Sequence, residues 1–149
     1  MMTSAEEGVT SMHYHGHAAV EKAFDFLKIP SGGVVLDAGS GFGGCGRYWA
    51  EQLGLNHHII SCEYNCEFHQ LAQMATAALD QTISCRIEQV CGDLVIKNFG
   101  VTLDGVYSFL VFLHIPKNEL IKLFKNLKSQ MKPGAKIYIE DYYLKESRK

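Results

Sequence analysis

A glycine-rich segment, residues 37–44, is the part of the chain best suited to binding a ligand. It reads DAGSGFGG directly after the apolar run Val34-Val35-Leu36. Glycines let a loop turn sharply and bring its backbone close to a ligand, and a following helix offers unpaired N–H groups. Gly39, Gly41 and Gly44 also satisfy the G-x-G-x-x-G pattern of dinucleotide sites. The glycines alone therefore leave the kind of ligand open.

The acid in front of these glycines narrows the choice. Asp37 lies two residues before Gly39, at the end of the predicted first strand. A carboxylate there would repel a pyrophosphate, whereas it would attract a ligand that carries a sulfonium and an ammonium group. A dinucleotide site and a glycine turn without any ligand remain the weaker alternatives.

The run VLDAGSGFGG resembles the V-L-D-x-G-x-G-x-G signature of class I S-adenosylmethionine-dependent methyltransferases. That resemblance implies S-adenosylmethionine as the cofactor and S-adenosylhomocysteine as its product. It also implies that Glu63, after strand two, holds the ribose hydroxyls and that Asp93, after strand three, meets the adenine amino group. Tyr64 is expected to pack on the adenine. The cofactor-binding set expected from the resemblance is Asp37, Gly39, Ser40, Gly41, Glu63, Tyr64, Asp93, Leu94 and Ser108.

Residues 107–115 and 127–143 are similar to a narrower group, the phosphoethanolamine and sarcosine/dimethylglycine methyltransferases. The chain has Leu113-His114-Ile115 where those proteins carry an "ILH" segment, and KPGAKIYIEDY near its end. The resemblance implies that His114 and Tyr14 act on a small-molecule methyl acceptor, with no metal. Histidine can accept a proton at neutral pH, and a tyrosine ring can stabilise a developing cation. A His114 that only caps a turn before Pro116, and a Tyr14 that only packs or lies at the surface, stay open.

One departure weakens the match to phosphoethanolamine as substrate. Many proteins of that group have an acid four residues before the histidine, and here the position is Leu110. With leucine at this position, a cationic amine substrate would lack the acidic partner that those proteins provide. We therefore expect methyl transfer to a nitrogen or oxygen of a small soluble metabolite, without naming that metabolite.

Short β-branched runs alternate with amphipathic segments along the whole chain and must position these residues. The pattern predicts strands at 34–36, 58–62, 83–90, 103–109 and 135–140, helices at 17–28, 44–53, 66–79 and 117–130, and a turn at 131–134. Repeated strand–helix–strand units predict an α/β, Rossmann-like, doubly wound and mostly parallel sheet with helices on both faces. We expect one domain over 1–149, with residues 1–15 flexible.

The complete fold of the resembling family has seven strands, so we expect a chain truncated after strand five, at its C-terminal end. The unpaired edge of strand five would then favour an oligomer or a partner chain that covers it. This suggests a second function, a non-catalytic cofactor-binding half or regulatory partner. A dinucleotide-dependent oxidoreductase is a third, which Asp37 disfavours.

Composition excludes several other classes. The net charge is −2 with 14 basic and 16 acidic residues, which predicts no nucleic-acid partner. No apolar run is long enough for a membrane span, and the polar N-terminus is unlike a signal peptide, so we expect a cytoplasmic protein without a membrane partner. The five cysteines show no zinc spacing and predict reduced, mostly buried thiols. The alternating histidines 13, 15 and 17 and the Cys62/Cys66 pair are weak metal candidates.

Overall fold

The computed structural model describes residues 16–142, in which strands and helices alternate. The strands are β1 (Val34–Ala38), β2 (His58–Glu63), β3 (Ile87–Cys91), β4 (Leu103–Phe109) and β5 (Met131–Glu140). The helices are α1 (Gly16–Leu27), α2 (Gly44–Tyr48), α3 (Cys66–Ala77), α4 (Gln81–Ser84) and α5 (Lys117–Gln130). A π-helical turn (Trp49–Leu53) continues α2, and a 3-10 turn (Phe112–His114) precedes α5.

The strands form one sheet in the order β3-β2-β1-β4-β5, and every pairing is parallel. The chain moves outward from β1 to β3 and then returns to the other side of β1 with β4. Ligands of open parallel sheets bind at the carboxyl ends of the strands, where the strand order reverses. The predicted Rossmann-like fold is confirmed, and the reversal lies between β1 and β4.

Two apolar clusters, one on each face of the sheet, hold the helices in place. Because successive strand residues point to opposite faces, Val35 belongs to the cluster with Trp49 and Leu36 to the cluster with Leu123. Trp49 stacks on Tyr107 with ring centroids 5.0 Å apart. Both faces of β1 are therefore dry and packed, so its last residues can position a site with little freedom to shift.

The predicted strand over residues 83–90 is wrong in its first half. Residues Gln81–Ser84 are helical because the Asp80 carboxylate caps this turn, accepting hydrogen bonds from Thr82 N (2.9 Å) and Thr82 Oγ1 (2.6 Å). The strand begins at Ile87. Just before it, the Arg86 guanidinium donates to four backbone carbonyls, those of Ala50, Gly54, His57 and Thr82.

Two other boundaries differ from the predictions. The helix expected at 44–53 changes from α-helical to π-helical at Trp49. The turn expected at 131–134 falls within the assigned bounds of β5, but the strand is irregular there. Leu103 pairs with Met131 and Gly105 with Lys136, so the intervening residues of β5 bulge outward. Gly134 takes the left-handed conformation, with φ +80°, that such a bulge requires.

Within residues 16–142 no helix has the length and apolar character needed to cross a bilayer. The same part of the chain contains no group of three or more metal-ligating side chains. His13, Tyr14 and His15, and the N-terminal segment predicted to be flexible, lie outside the described residues.

Candidate functional site

A cavity of about 840 Å³ opens at the carboxyl ends of the strands, within the usual size range of small-molecule sites. It extends from the loop after β1 to the 3-10 turn before α5. The residues expected to bind a cofactor that do line it are Asp37, Gly39, Ser40, Gly41, Glu63, Tyr64, Asp93 and Leu94. His114 lines the same cavity, so the two groups of predicted residues meet in one place.

The glycine loop is held in place by the end of β2 and by the segment after β4. Gly39 N and Ser40 N both donate to the carbonyl of Cys62, at 2.9 Å each, which ties the loop to the end of β2. Gly39 has φ +78°, and a Cβ placed there would lie 2.3 Å from a methyl carbon of Val111. Glycine is therefore required at position 39 for its backbone conformation and for its close approach to the segment after β4.

Gly41 differs, because it faces open space. It also has positive φ (+54°), yet nothing lies within 4 Å of a Cβ built on it. Its N–H donates to Glu63 Oε2 at 2.8 Å. The backbone of the loop is thus bare toward the cavity at this point, as a close-binding ligand would need.

Asp37 is the most unusual group in the cavity. Its side chain is buried (the residue is 2% exposed), and its Oδ2 completes no hydrogen bond. Burial raises the pKa of Asp37 to about 7, against the opposing effect of the neighbouring Tyr107 hydroxyl. The nearby Glu63 carboxylate raises this pKa further. A buried carboxylate with one oxygen lacking a hydrogen-bond partner is costly, and a cation in the cavity would reduce that cost.

The other two acids are held by the backbone. Glu63 Oε1 accepts from Asn65 N and Oε2 accepts from Gly41 N, both at 2.8 Å. A carboxylate has about four acceptor positions, so Glu63 can still accept two hydroxyl donors. Asp93 uses Oδ1 to accept from Val95 N at 2.9 Å, which closes the turn after β3.

The remaining predicted cofactor residues fall into different environments. Ser40 Oγ is buried without a hydrogen-bond partner, and Tyr64 projects into solvent (75% exposed) at the mouth of the cavity. Ser108 is different. It is fully buried, its Oγ donates to the Ala38 carbonyl at 2.9 Å, and it is not among the residues that line the cavity. Through this hydrogen bond Ser108 links β4 to the end of β1.

The far end of the cavity is formed by the segment after β4. Leu110 has φ +56°, a strained conformation for a side chain of its type, and its N–H donates to Glu140 O at 2.8 Å. Asp141 Oδ2 then accepts from Phe112 N (2.9 Å) and Leu113 N (3.2 Å). The turn that carries His114 is therefore held by the end of β5. His114 itself is exposed at the cavity wall.

Sequence reasoning missed an acid at this end. Glu119, in the first turn of α5, lines the cavity, and its Oε1 binds Lys122 Nζ (2.9 Å) and Asn118 Nδ2 (3.1 Å). It supplies a carboxylate to the cavity that His114 also lines, whereas Leu110 supplies none. The sequence places it only in the first turn of a helix that starts three residues after His114, and the direction in which that turn faces follows from the structure alone.

Comparison with known proteins agrees with this architecture. A family model described as a methyltransferase domain matches residues 35–134. Phosphoethanolamine N-methyltransferase 1 of Triticum aestivum is 31% identical over 130 residues, covering 85% of this chain and 24% of that protein. The 24-methylenesterol C-methyltransferase 3 of Arabidopsis thaliana is 33% identical over 117 residues, covering 77% of this chain and 31% of that protein. The chain thus spans about a quarter to a third of the length of these curated relatives.

The solved structure of Haemonchus contortus phosphoethanolamine N-methyltransferase 2 with S-adenosyl-L-methionine superposes with a TM-score of 0.74 at 22% identity. The alignment covers 87% of this chain and 29% of that one. This likeness establishes the shared fold.

Proposed function

The chain belongs to the methyltransferase domain family, and from that premise we propose that it binds S-adenosylmethionine and transfers a methyl group to a small metabolite. The acceptor atom is a nitrogen or an oxygen. The proposal is for this chain's own residues, since the matched segment covers only 24% and 31% of the two relatives.

The observation that carries the proposal is Asp37. Its buried carboxylate at the base of the glycine loop, whose Oδ2 completes no hydrogen bond, fits a ligand with positive charge and does not fit a pyrophosphate. Ser40 Oγ, also buried without a partner, and the open backbone at Gly41 support a polar ligand lying against the same loop. S-adenosylmethionine carries an ammonium and a sulfonium, and it has two ribose hydroxyls for Glu63.

Each residue then has a defined task. Asp37 would hold the cationic amino-acid end, Glu63 the ribose, and Asp93 with Leu94 the adenine. When bound, S-adenosylmethionine supplies an electrophilic methyl carbon on its sulfonium sulfur. The chain must align the acceptor with that carbon and remove the acceptor's proton, because in-line displacement depends mainly on orientation. His114 would take that proton at a ring nitrogen, and Tyr14 would assist from the N-terminal segment.

The charges at the cavity favour an amine over a phosphorylated acceptor. Four of the described lining residues are acids, namely Asp37, Glu63, Asp93 and Glu119, and none of the lining residues in 16–142 is lysine or arginine. Phe109, Val111, Leu113 and Ile115 give the acceptor end an apolar wall. A small amine with an apolar body, approached by Glu119 and His114, is the acceptor that best fits these groups.

Calorimetric titration with S-adenosylhomocysteine tests the cofactor assignment. The folded chain is expected to bind it, and Asp37→Ala or Glu63→Ala is expected to weaken binding by about 1–3 kcal/mol, the cost of stranding a hydrogen-bonding partner. Glu88→Ala is a matched control, since Glu88 is exposed on β3 outside the cavity. No binding by a well-folded chain, or NAD binding in its place, would reject the proposal.

A second candidate function is a non-catalytic cofactor-binding half that pairs with another chain. The observation in its favour is that β5 is the last strand of the described sheet, so its outer edge has no strand partner within residues 16–142. Size-exclusion chromatography with light scattering, run beside a methylation assay, separates the two. A strictly monomeric chain that methylates small amines would exclude the second candidate.

A further inference from the structure

Two thiols meet beside Glu63, a residue that lines the cavity, although neither cysteine lines the cavity itself. Cys66 is the first residue of α3 and Cys91 the last residue of β3, and their Sγ atoms lie 2.9 Å apart without a disulfide between them. A disulfide bond is about 2.0 Å long, so the sulfurs need to approach by only about 0.9 Å to bond. The other cysteines differ: Cys45 and Cys62 are buried, and exposed Cys85 directs its Sγ to the Thr82 carbonyl.

The backbone around Glu63 holds this pair together. Glu63 is in register with Cys91, and Gly92 N donates to Glu63 O at 3.0 Å. The chain then turns back, because the Glu63 carboxylate accepts from Asn65 N and the Asn65 side chain caps α3. Cys66 is thereby brought beside Cys91. The same hydrogen bonds therefore position the thiol pair and Glu63, the residue expected to hold the ribose.

The two thiols are unequal. Cys66 is exposed, so it is the sulfur that a dissolved oxidant meets first. Cys91 is partly covered, and its pKa is raised, first by its hydrogen bond with Cys66 and then by burial and by the charge of Glu63. The Lys97 side chain, which packs over Gly92, opposes this rise in the pKa of Cys91. Cys91 therefore keeps its proton while the Cys66 sulfur reacts with the oxidant.

We propose that Cys66 and Cys91 are an oxidisable dithiol whose disulfide weakens ligand binding at the neighbouring Glu63. The oxidant is a hydroperoxide. The Cys66 thiolate attacks one peroxide oxygen, the O–O bond breaks, and hydroxide leaves, which oxidises the sulfur to a sulfenic acid. The Cys91 sulfur then displaces hydroxide from Cys66, its proton completes a water molecule, and the S–S bond forms. A thiol reductant restores both thiols by exchange.

The effect on binding follows from the shared hydrogen bonds and rests on the proposed function. Closing the gap of about 0.9 Å must move Asn65-Cys66, Cys91-Gly92 or both. Asn65 N is one of the two backbone donors to the Glu63 carboxylate, beside Gly41 N, and Gly92 N donates to the Glu63 carbonyl. Loss of one such bond changes an affinity by about fivefold, so the oxidised chain is expected to bind S-adenosylhomocysteine about five times more weakly.

Mass spectrometry tests the dithiol itself. The 149-residue chain is treated with hydrogen peroxide, alkylated, and digested without reductant. A peptide that links Cys66 to Cys91 is expected in the unaltered chain and in the control Cys85→Ser, but not in Cys66→Ser or Cys91→Ser. A chain that accumulates sulfinic acid at Cys66 without the link, or that links other cysteines, would overturn the proposal.

Calorimetry tests the consequence. Reduced, oxidised and re-reduced samples are titrated with S-adenosylhomocysteine, and only the oxidised one is expected to lose affinity, while Cys91→Ser treated with peroxide keeps it. Equal affinity in all three samples refutes the effect on binding. If the reduced, folded chain binds no S-adenosylhomocysteine, the proposed function fails and the effect on binding fails with it. The cross-link is still decided by the mass spectra.

Discussion

Protonation of Asp37 should control how tightly the cavity holds S-adenosylhomocysteine. The pKa of this buried carboxyl is about 7 in the unliganded chain. The ligand's ammonium favours the ionised form, so binding lowers this pKa and releases a proton when the free group is protonated. Affinity should therefore rise with pH through this pKa and level off above it.

The size of the effect follows from the fraction of Asp37 that is ionised. With a pKa of about 7, roughly nine tenths is ionised at pH 8 and roughly one tenth at pH 6. The association constant should then fall about tenfold between these two pH values, which is about 1.4 kcal/mol. Titrations at pH 6, 7 and 8 in two buffers of different ionisation enthalpy would measure the affinity and count the released protons.

Two variants make the reasoning refutable. Asp37→Asn removes the titrating group, so its weak binding should not vary over this range, whereas His114→Asn should keep the wild-type profile. An unaltered chain whose affinity and proton release stay constant from pH 6 to 8 would show that Asp37 is not the group involved. So would a His114→Asn variant with a flat profile.

Asp37→Asn should raise the stability of the unliganded chain, although it weakens ligand binding. A carboxyl whose pKa is raised on folding contributes stability below its unfolded pKa of 3.8, and loses it as pH rises toward about 7. That difference of roughly three units corresponds to about 4 kcal/mol. Urea unfolding at pH 8 should therefore find Asp37→Asn more stable than the unaltered chain without ligand, by up to about that amount. A less stable variant would contradict a raised pKa.

Three further substitutions test other parts of the site and its support. Glu63→Ala should weaken S-adenosylhomocysteine binding by about 1–3 kcal/mol and Glu63→Gln by less, because glutamine keeps one acceptor oxygen; equal losses in calorimetry would place the effect elsewhere. Arg86→Ala should lower the free energy of unfolding by about 2–4 kcal/mol, since four carbonyls lose a donor, while exposed Lys125→Ala should change it little in the same urea titration. Asp141→Ala should slow methyl transfer and leave S-adenosylhomocysteine affinity unchanged, because Asp141 holds the turn of His114 and not the glycine loop; a lower affinity at normal turnover would reverse that assignment.

The central sheet was predictable because its strands are short apolar runs bounded by turn residues. β4 and α5 were predicted with correct ends, since Leu103–Phe109 is continuously strand-like and α5 has a clear apolar stripe. The start of β3 was not, because alternation over residues 83–86 fits a strand and the deciding contact is a single cap from Asp80. Local caps can override a short period-two pattern.

The site residues that lie at strand ends were predictable from the sequence. Asp37, Glu63 and Asp93 lie at or just after the carboxyl ends of three parallel strands that are consecutive in the sequence, so their convergence follows from the topology. The roles of Asp141 and Glu119 were not predicted, because they depend on which way a loop and a first helical turn face. Ser108 was expected at the cofactor site because it lies near the end of β4, but its hydroxyl points toward Ala38 and not into the cavity. Adjacent strand positions point to opposite faces, so lying near a strand end is not enough to place a side chain in the site.

The contact between Gly39 and Val111 restricts the residues allowed at position 39 more strongly than those allowed at position 111. Any side chain at position 39 would collide with Val111 and would also have to adopt φ +78°, so shortening Val111 removes only one of the two obstacles. Position 111 carries no such constraint from Gly39, because a smaller residue there only widens the cavity. One substitution at position 111 can therefore widen the cavity wall after β4, whereas a substitution at position 39 would also require a change in the backbone of the glycine loop.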